Sequence, residues 1–196
     1  MKDKLAKLIR IITAPPFMAG VFILILAHTL RREIYTPRRA AVSLLCLSVI
    51  PLLAYPLSRW VPALRKGGRE TQRNLAFVLS LLGYTAGWLW AELSDAPPLI
   101  LYVHTVYLLS VLILLFFNRL LRWRSSGHSC GITGPVTSLF CFAAPLWGAV
   151  GALLFFPAAL WASLRTRRHT LAEFLLGSLS FLLAAGLTFL RTPLPL

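Results

Sequence analysis

Two imidazoles stand in polar stretches of an otherwise apolar chain. His128 closes Ser126-Gly127-His128, and His169 precedes Glu173 by four residues in "RTRRHTLAEFLLG", with Gly177 four further on. At that spacing His169 and Glu173 lie on one helical face and touch. A carboxylate beside an imidazole fixes its tautomer and raises its basicity, the orienting role used in nucleophilic and acid–base sites. A third polar cluster, "RKGGRETQRN", holds Lys66 and Arg73 seven residues apart.

The elements that must position these groups are apolar helices. Hydrophobic residues make up 58% of the 196 residues and charged residues 13%, far from the roughly one-quarter charge of soluble domains. Runs long enough to cross a hydrocarbon layer of about 30 Å recur at 15–30, 40–58, 74–92, 98–118, 129–144, 147–164 and 170–190. The proline and glycine of "APLWG" at 144–148 divide the fifth run from the sixth. The pattern predicts an all-α polytopic transmembrane bundle of six to seven spans, a single integral membrane domain over 1–196. Residues 1–14 read as an interfacial lead-in, since a basic start is followed by no cleavage-site pattern.

With seven spans, the N-terminus and the loops 59–73, 119–128 and 165–169 share one face, here face X, and carry all three polar clusters. Lysines and arginines divide fifteen to face X and five to the opposite face, the latter being Arg31, Arg32, Arg38, Arg39 and Arg191. The bias places face X in the cytoplasm.

In order and internal spacing the three clusters resemble the signature of the type 2 phosphatidic acid phosphatase superfamily, K-x6-R-P, P-S-G-H and S-R-x5-H-x3-D. The resemblance covers 65–177, the phosphatase-like core. Asn74 and Ser125 stand where the family has proline, Glu173 where it has aspartate, and Ser163 where the third motif has its arginine. The resemblance implies a metal-independent histidine phosphatase acting on a lipid phosphate, without a cofactor. His169 would be the nucleophile that becomes a phosphohistidine, Glu173 would hold its other ring nitrogen, and His128 would protonate the leaving alkoxide. Lys66 and Arg73 would grip the nonbridging oxygens, with Ser126, Gly127, Arg165 and Arg168 also at the phosphate. Glycine at a loop-to-helix junction lets backbone N–H groups approach a phosphate, and the helix N-terminus adds a favourable partial charge.

The remaining residues narrow the classes. The six carboxylates are Asp3, Glu33, Glu70, Glu92, Asp95 and Glu173, too scattered to hold Mg²⁺ beside a phosphate, so no metal site is expected. The net charge of +14 lies in short clusters between apolar runs, pointing to lipid headgroups and phosphates as partners and not to nucleic acid. Cys46, Cys130 and Cys141 read as buried small hydrophobes, and His28 and His104 as hydrogen-bonded structural histidines. Phosphatidic acid, phosphatidylglycerol phosphate and polyprenyl diphosphate are candidate substrates. Two other classes stay open: a headgroup binder without turnover, favoured by Ser163, and a transporter or structural membrane protein. The family usually works at an outer or lumenal face. With Lys66, Arg73, Arg165, Arg167 and Arg168 set aside the charge count is still ten to five, so a cytoplasmic-facing site in a bacterial cytoplasmic membrane is the expectation. Oligomeric state is not legible.

Overall fold

The structure, a computed structural model, describes residues 2–30 and 33–192. Arg31 and Arg32, two of the five cations assigned to the face opposite X, lie outside the described residues. Among those described, the chain is helical with no strand. Eight helices follow in order: α1 Lys2–Ile12, α2 Pro15–Thr29, α3 Pro37–Trp60, α4 Gly68–Leu93, α5 Pro98–Leu120, α6 Gly127–Ser138 prolonged by a π-helical turn Leu139–Ala143, α7 Pro145–Arg165 and α8 Leu171–Arg191. A single helical turn, Pro62–Arg65, links α3 to α4.

Local chemistry sets the helix starts. Proline opens α2, α3, α5 and α7, where its missing N–H is one of the unpaired donors anyway. The hydroxyls of Thr36, Ser126 and Thr170 cap α3, α6 and α8 by accepting from the third N–H beyond. Inside α3 and α7 the π-helical turns Leu45–Val49 and Gly151–Phe155 directly precede Pro51 and Pro157. A widened turn relieves the clash of each ring with the carbonyl four residues back.

Five helices, α3, α4, α5, α7 and α8, are long and apolar enough to cross a membrane alone. The pair α1 and α2, bent by 53°, makes a sixth candidate. Helix α6 with its π-helical turn is seventeen residues long, twelve plus five, roughly 26 Å at about 1.5 Å per residue. The chain is an integral membrane protein, an all-α polytopic bundle. Leu93, Leu153, Leu154 and Leu190 are all more than 60% exposed on its outside, where hydrocarbon and not water is the solvent.

One difference from the sequence reading bears on the site. The stretch 65–73, expected as a loop, is helical from Gly68 onward. Gly68, at φ +56°, makes the left-handed turn that starts α4, and Glu70 in the first turn complements the helix dipole. Arg69 and Arg73 are thereby fixed on a helix. The division at 144–148 falls at Ala144, and Pro145 opens α7.

The core runs in three clusters. Phe22, Ile23, Leu47, Tyr84, Ile100 and Tyr107 join α2, α3, α4 and α5. Val106, Leu114, Cys130, Phe181 and Ala184 join α5, α6 and α8. Met18, Ile132, Ala159 and Phe174 join α2, α6, α7 and α8. Helix α8 packs on α5 and α6, α4 on α3 and α5, and α1 along α7. Cys46 and Cys130 are buried as expected, but Cys141 is exposed, as is the neighbouring Phe140.

Candidate functional site

The segment between α5 and α6 is held by a side-chain amide. Asn118 donates from Nδ2 to the carbonyls of Leu114 (2.8 Å) and Ser125 (3.2 Å), and its Oδ1 accepts from the Ser125 N–H at 3.2 Å. The Ser126 N–H reaches the Glu173 carbonyl on α8 at 3.0 Å, and its hydroxyl caps α6 through the Ser129 N–H. These bonds aim the α6 N-terminus and place His128 in its first turn. His128 Nε2 lies 2.9 Å from the Thr13 hydroxyl, whose own proton goes to the Ile9 carbonyl at 2.6 Å. The network therefore assigns the proton to Nε2 of neutral His128 and leaves Nδ1 with the lone pair.

On α8, Thr170 and Glu173 form a reciprocal capping box. Glu173 Oε2 accepts from the Thr170 N–H and lies 3.1 Å from His169 Nδ1. A carboxylate only accepts, so Nδ1 carries the hydrogen and Nε2 keeps the lone pair. The other oxygen, Oε1, faces Arg124 Nε at 3.7 Å. One carboxylate thus holds the helix start, the imidazole and a neighbouring guanidinium.

Helices α6 and α8 meet closely. A Cβ on Gly177 would stand 2.1 Å from the Ser126 carbonyl oxygen, so only glycine permits this approach. Below that point the Ser178 hydroxyl bonds Ser129 at 2.6 Å and Thr133 at 3.0 Å. The Ser126-Gly127-His128 and His169–Glu173 clusters, more than forty residues apart in sequence, are locked to each other on one face. A second close approach brings in the N-terminus: a Cβ on Gly131 would meet Pro15 at 2.4 Å, and this contact sets Thr13 beside His128.

A cavity of about 490 Å³ opens between these elements. His128, His169, Gly127, Arg73 and Arg168 line it, as do three cations that spacing did not single out, Arg10, Arg69 and Arg124. Its deeper wall is Phe77, Tyr84, Tyr107, Val111, Leu114 and Phe181, so a basic mouth continues into an apolar interior. Ser126 does not line it, and Glu173 lines a smaller adjoining pocket together with Arg124, Arg168 and His169. Two further proposed phosphate ligands lie elsewhere. Lys66 is exposed ahead of α4 and does not line the cavity; Arg69, one turn on, does. Arg165 turns away to Asp3 at 3.0 Å.

The charge balance at the mouth is strongly positive. Glu70 pairs with Arg73 at 3.9 Å and Glu173 is engaged as above, which leaves Arg10, Arg69, Arg167 and Arg168 without a carboxylate partner among the described residues. Burial pulls the His169 imidazole below its ordinary value, against the opposing pull of Glu173. Burial, with the neighbouring Arg69 charge second, pulls the Arg168 guanidinium down as well.

The residues missed by sequence reasoning come from the N-terminal segment, from α4 and α5, and, in Arg124, from the segment between α5 and α6. Arg10, Thr13, Arg69 and Asn118 sit in no recognisable spacing relative to the histidines. The one signal was negative: Ser163 where an arginine was due. Away from the cavity, His104 Nε2 bonds the Ser43 hydroxyl at 3.0 Å in the bundle interior, and His28 is exposed near the end of α2. Comparisons with family models, with curated proteins and with solved structures find no match to this chain.

Proposed function

We propose that the protein is a membrane lipid phosphatase of the type 2 phosphatidic acid phosphatase kind, working through a phosphohistidine. The observation that carries this reading is the lining of the cavity. His128 and His169 stand on one wall system with Arg73 and Arg168, and the pocket continues into apolar surface that suits an acyl or prenyl chain.

The headgroup enters the basic mouth, where Arg73, Arg168 and the α6 N-terminus bind its oxygens. His169 Nε2 attacks phosphorus; the P–N bond forms as the bond to the lipid oxygen breaks. His128, neutral in the free site, takes up a second proton at Nδ1 when the phosphate is bound and gives it to that oxygen. Water then attacks the phosphohistidine and returns a proton to His128, and inorganic phosphate leaves as the P–N bond breaks. Glu173 stabilises the positive charge on the His169 ring throughout. Lipid-phosphate hydrolysis by purified protein in mixed micelles tests the reading. Turnover that persists in chelator and is lost in His169→Ala and His128→Ala supports it; a strict metal requirement refutes it.

A second reading has one observation in its favour. Ser163 is fully buried with an unpartnered hydroxyl and supplies no charge to a phosphate, as fits a headgroup binder without turnover. Lipid-phosphate binding with no released phosphate would select it. The bacterial cytoplasmic membrane, with face X inside, is part of the proposal and rests on the arginine and lysine bias.

A further inference from the structure

Helix α1 packs along α7, the helix that carries Ser163, with Ala6 and Ala162 fully buried. The ion pair of Asp3 with Arg165 ties the two helices together at one end. One turn beyond Ser163, the Thr166 hydroxyl donates to the Ala162 carbonyl at 2.7 Å and accepts from Arg10 Nη1 at 3.1 Å. A single bond from one of five guanidinium N–H groups orients Arg10 and leaves the others free.

Arg10 lines the cavity together with His128, His169 and Arg168, is partly buried, and has no carboxylate partner among the described residues. Arg69 lines the same cavity. Converging guanidiniums repel one another unless an anion lies between them, and a planar N–H fork matches phosphate oxygens. Three residues on, the hydroxyl of Thr13 holds His128, so one segment sets both groups.

Resting on the reading of the cavity as a phosphate site, we propose that Arg10 supplies the phosphate-binding guanidinium that the third cluster lacks at Ser163, so that the N-terminal helix completes the site. The ligand is a phosphoryl group, free or on a lipid.

The test uses the full chain in detergent or nanodiscs, titrated with inorganic phosphate and separately with a short-chain phosphatidic acid. Arg10→Ala is expected to weaken binding about tenfold to a hundredfold, the effect of removing a charged hydrogen-bond partner. Arg10→Lys, which keeps the charge and loses the fork, should fall between. Thr166→Val, which frees Arg10 to wander, should weaken binding severalfold. Arg191→Ala, a charge removed where Arg191 meets Glu92, should bind as the wild type does. If Arg10→Ala fails to fold in a thermal scan, the lysine and valine variants decide. An effect confined to the lipid ligand supports the proposal with the headgroup as its source; an effect on inorganic phosphate supports it for the free ion too. Wild-type affinity in Arg10→Lys and Thr166→Val, or no binding of either ligand by the wild type, overturns it. Turnover of the same lipid judges the phosphatase reading separately. Arg10-dependent binding without turnover leaves this inference standing, and turnover insensitive to Arg10 removes it while leaving a phosphatase.

Discussion

His169 is shaped by two opposed influences. Burial favours the neutral ring, whereas Glu173 favours the charged one, and burial wins. A nucleophilic imidazole must be neutral. Since its folded value lies below the ordinary value of about 6.5, the acid limb of kcat/KM should fall at a pH below that. Glu173→Gln removes the influence that raises it, so the limb should move further towards acid. In the proposed mechanism the same change takes away the charge beside the His169 ring as it is phosphorylated and should lower kcat by about tenfold to a thousandfold, in the range of a lost preorganised electrostatic contact. A pH profile of lipid-phosphate hydrolysis in the two proteins checks both. His169→Ala should abolish turnover yet keep phosphate binding, because the cations at the mouth remain; titration with phosphate reads this directly.

At the scale of elements, the site depends on how α6 and α8 begin and where they touch. Thr170→Ala removes the cap of α8 and should cost about 1 kcal/mol, seen as a lower unfolding temperature in detergent. Loss of activity should exceed what the stability change explains, because the same box orients Glu173 toward His169. Gly177→Val is more severe. Its side chain would be forced against the Ser126 carbonyl, pushing the α6 N-terminus away from α8. A cost of about 1–3 kcal/mol is expected for such overpacking, with turnover lost in the fraction that still folds. Both helix starts were legible to about two residues, since the apolar runs were placed at 129 and 170, but their caps, Ser126 and Thr170, emerged only in the structure. The helical state of 68–73 was not legible, because a run of charged and glycine residues looks the same in a loop and in a first turn exposed at a membrane surface.

At the scale of the whole molecule, α2, α4, α6 and α8 begin, and α7 ends, on the face that holds the cavity, as alternating crossings require. In the proposed orientation the basic mouth faces the cytoplasm, on the strength of the lysine and arginine bias. Cysteine substitutions at Arg122 on face X and at Asp95 on the opposite face should label from opposite sides of sealed vesicles. Equal labelling from one side would contradict a crossing by α5, the candidate span between the two positions.

The sequence by itself determined that this is an all-α membrane bundle, because about 30 Å of hydrocarbon leaves a backbone no other way to pair its N–H and C=O groups within one segment. It also anticipated the contact of His169 with Glu173, although not its cause: His169 lies ahead of the Thr170 cap, outside α8, and Glu173 reaches it by folding back over the helix start and not along one helical face. The meeting of His128 with His169, the exclusion of Lys66 and Arg165 from the cavity, and the arrival of Arg10 and Thr13 were decided only by the tertiary structure. They depend on which helices pack side by side, and that is set by glycine-sized gaps at Gly131 and Gly177 and by core clusters joining four helices at a time. Such contacts leave no periodicity in the chain.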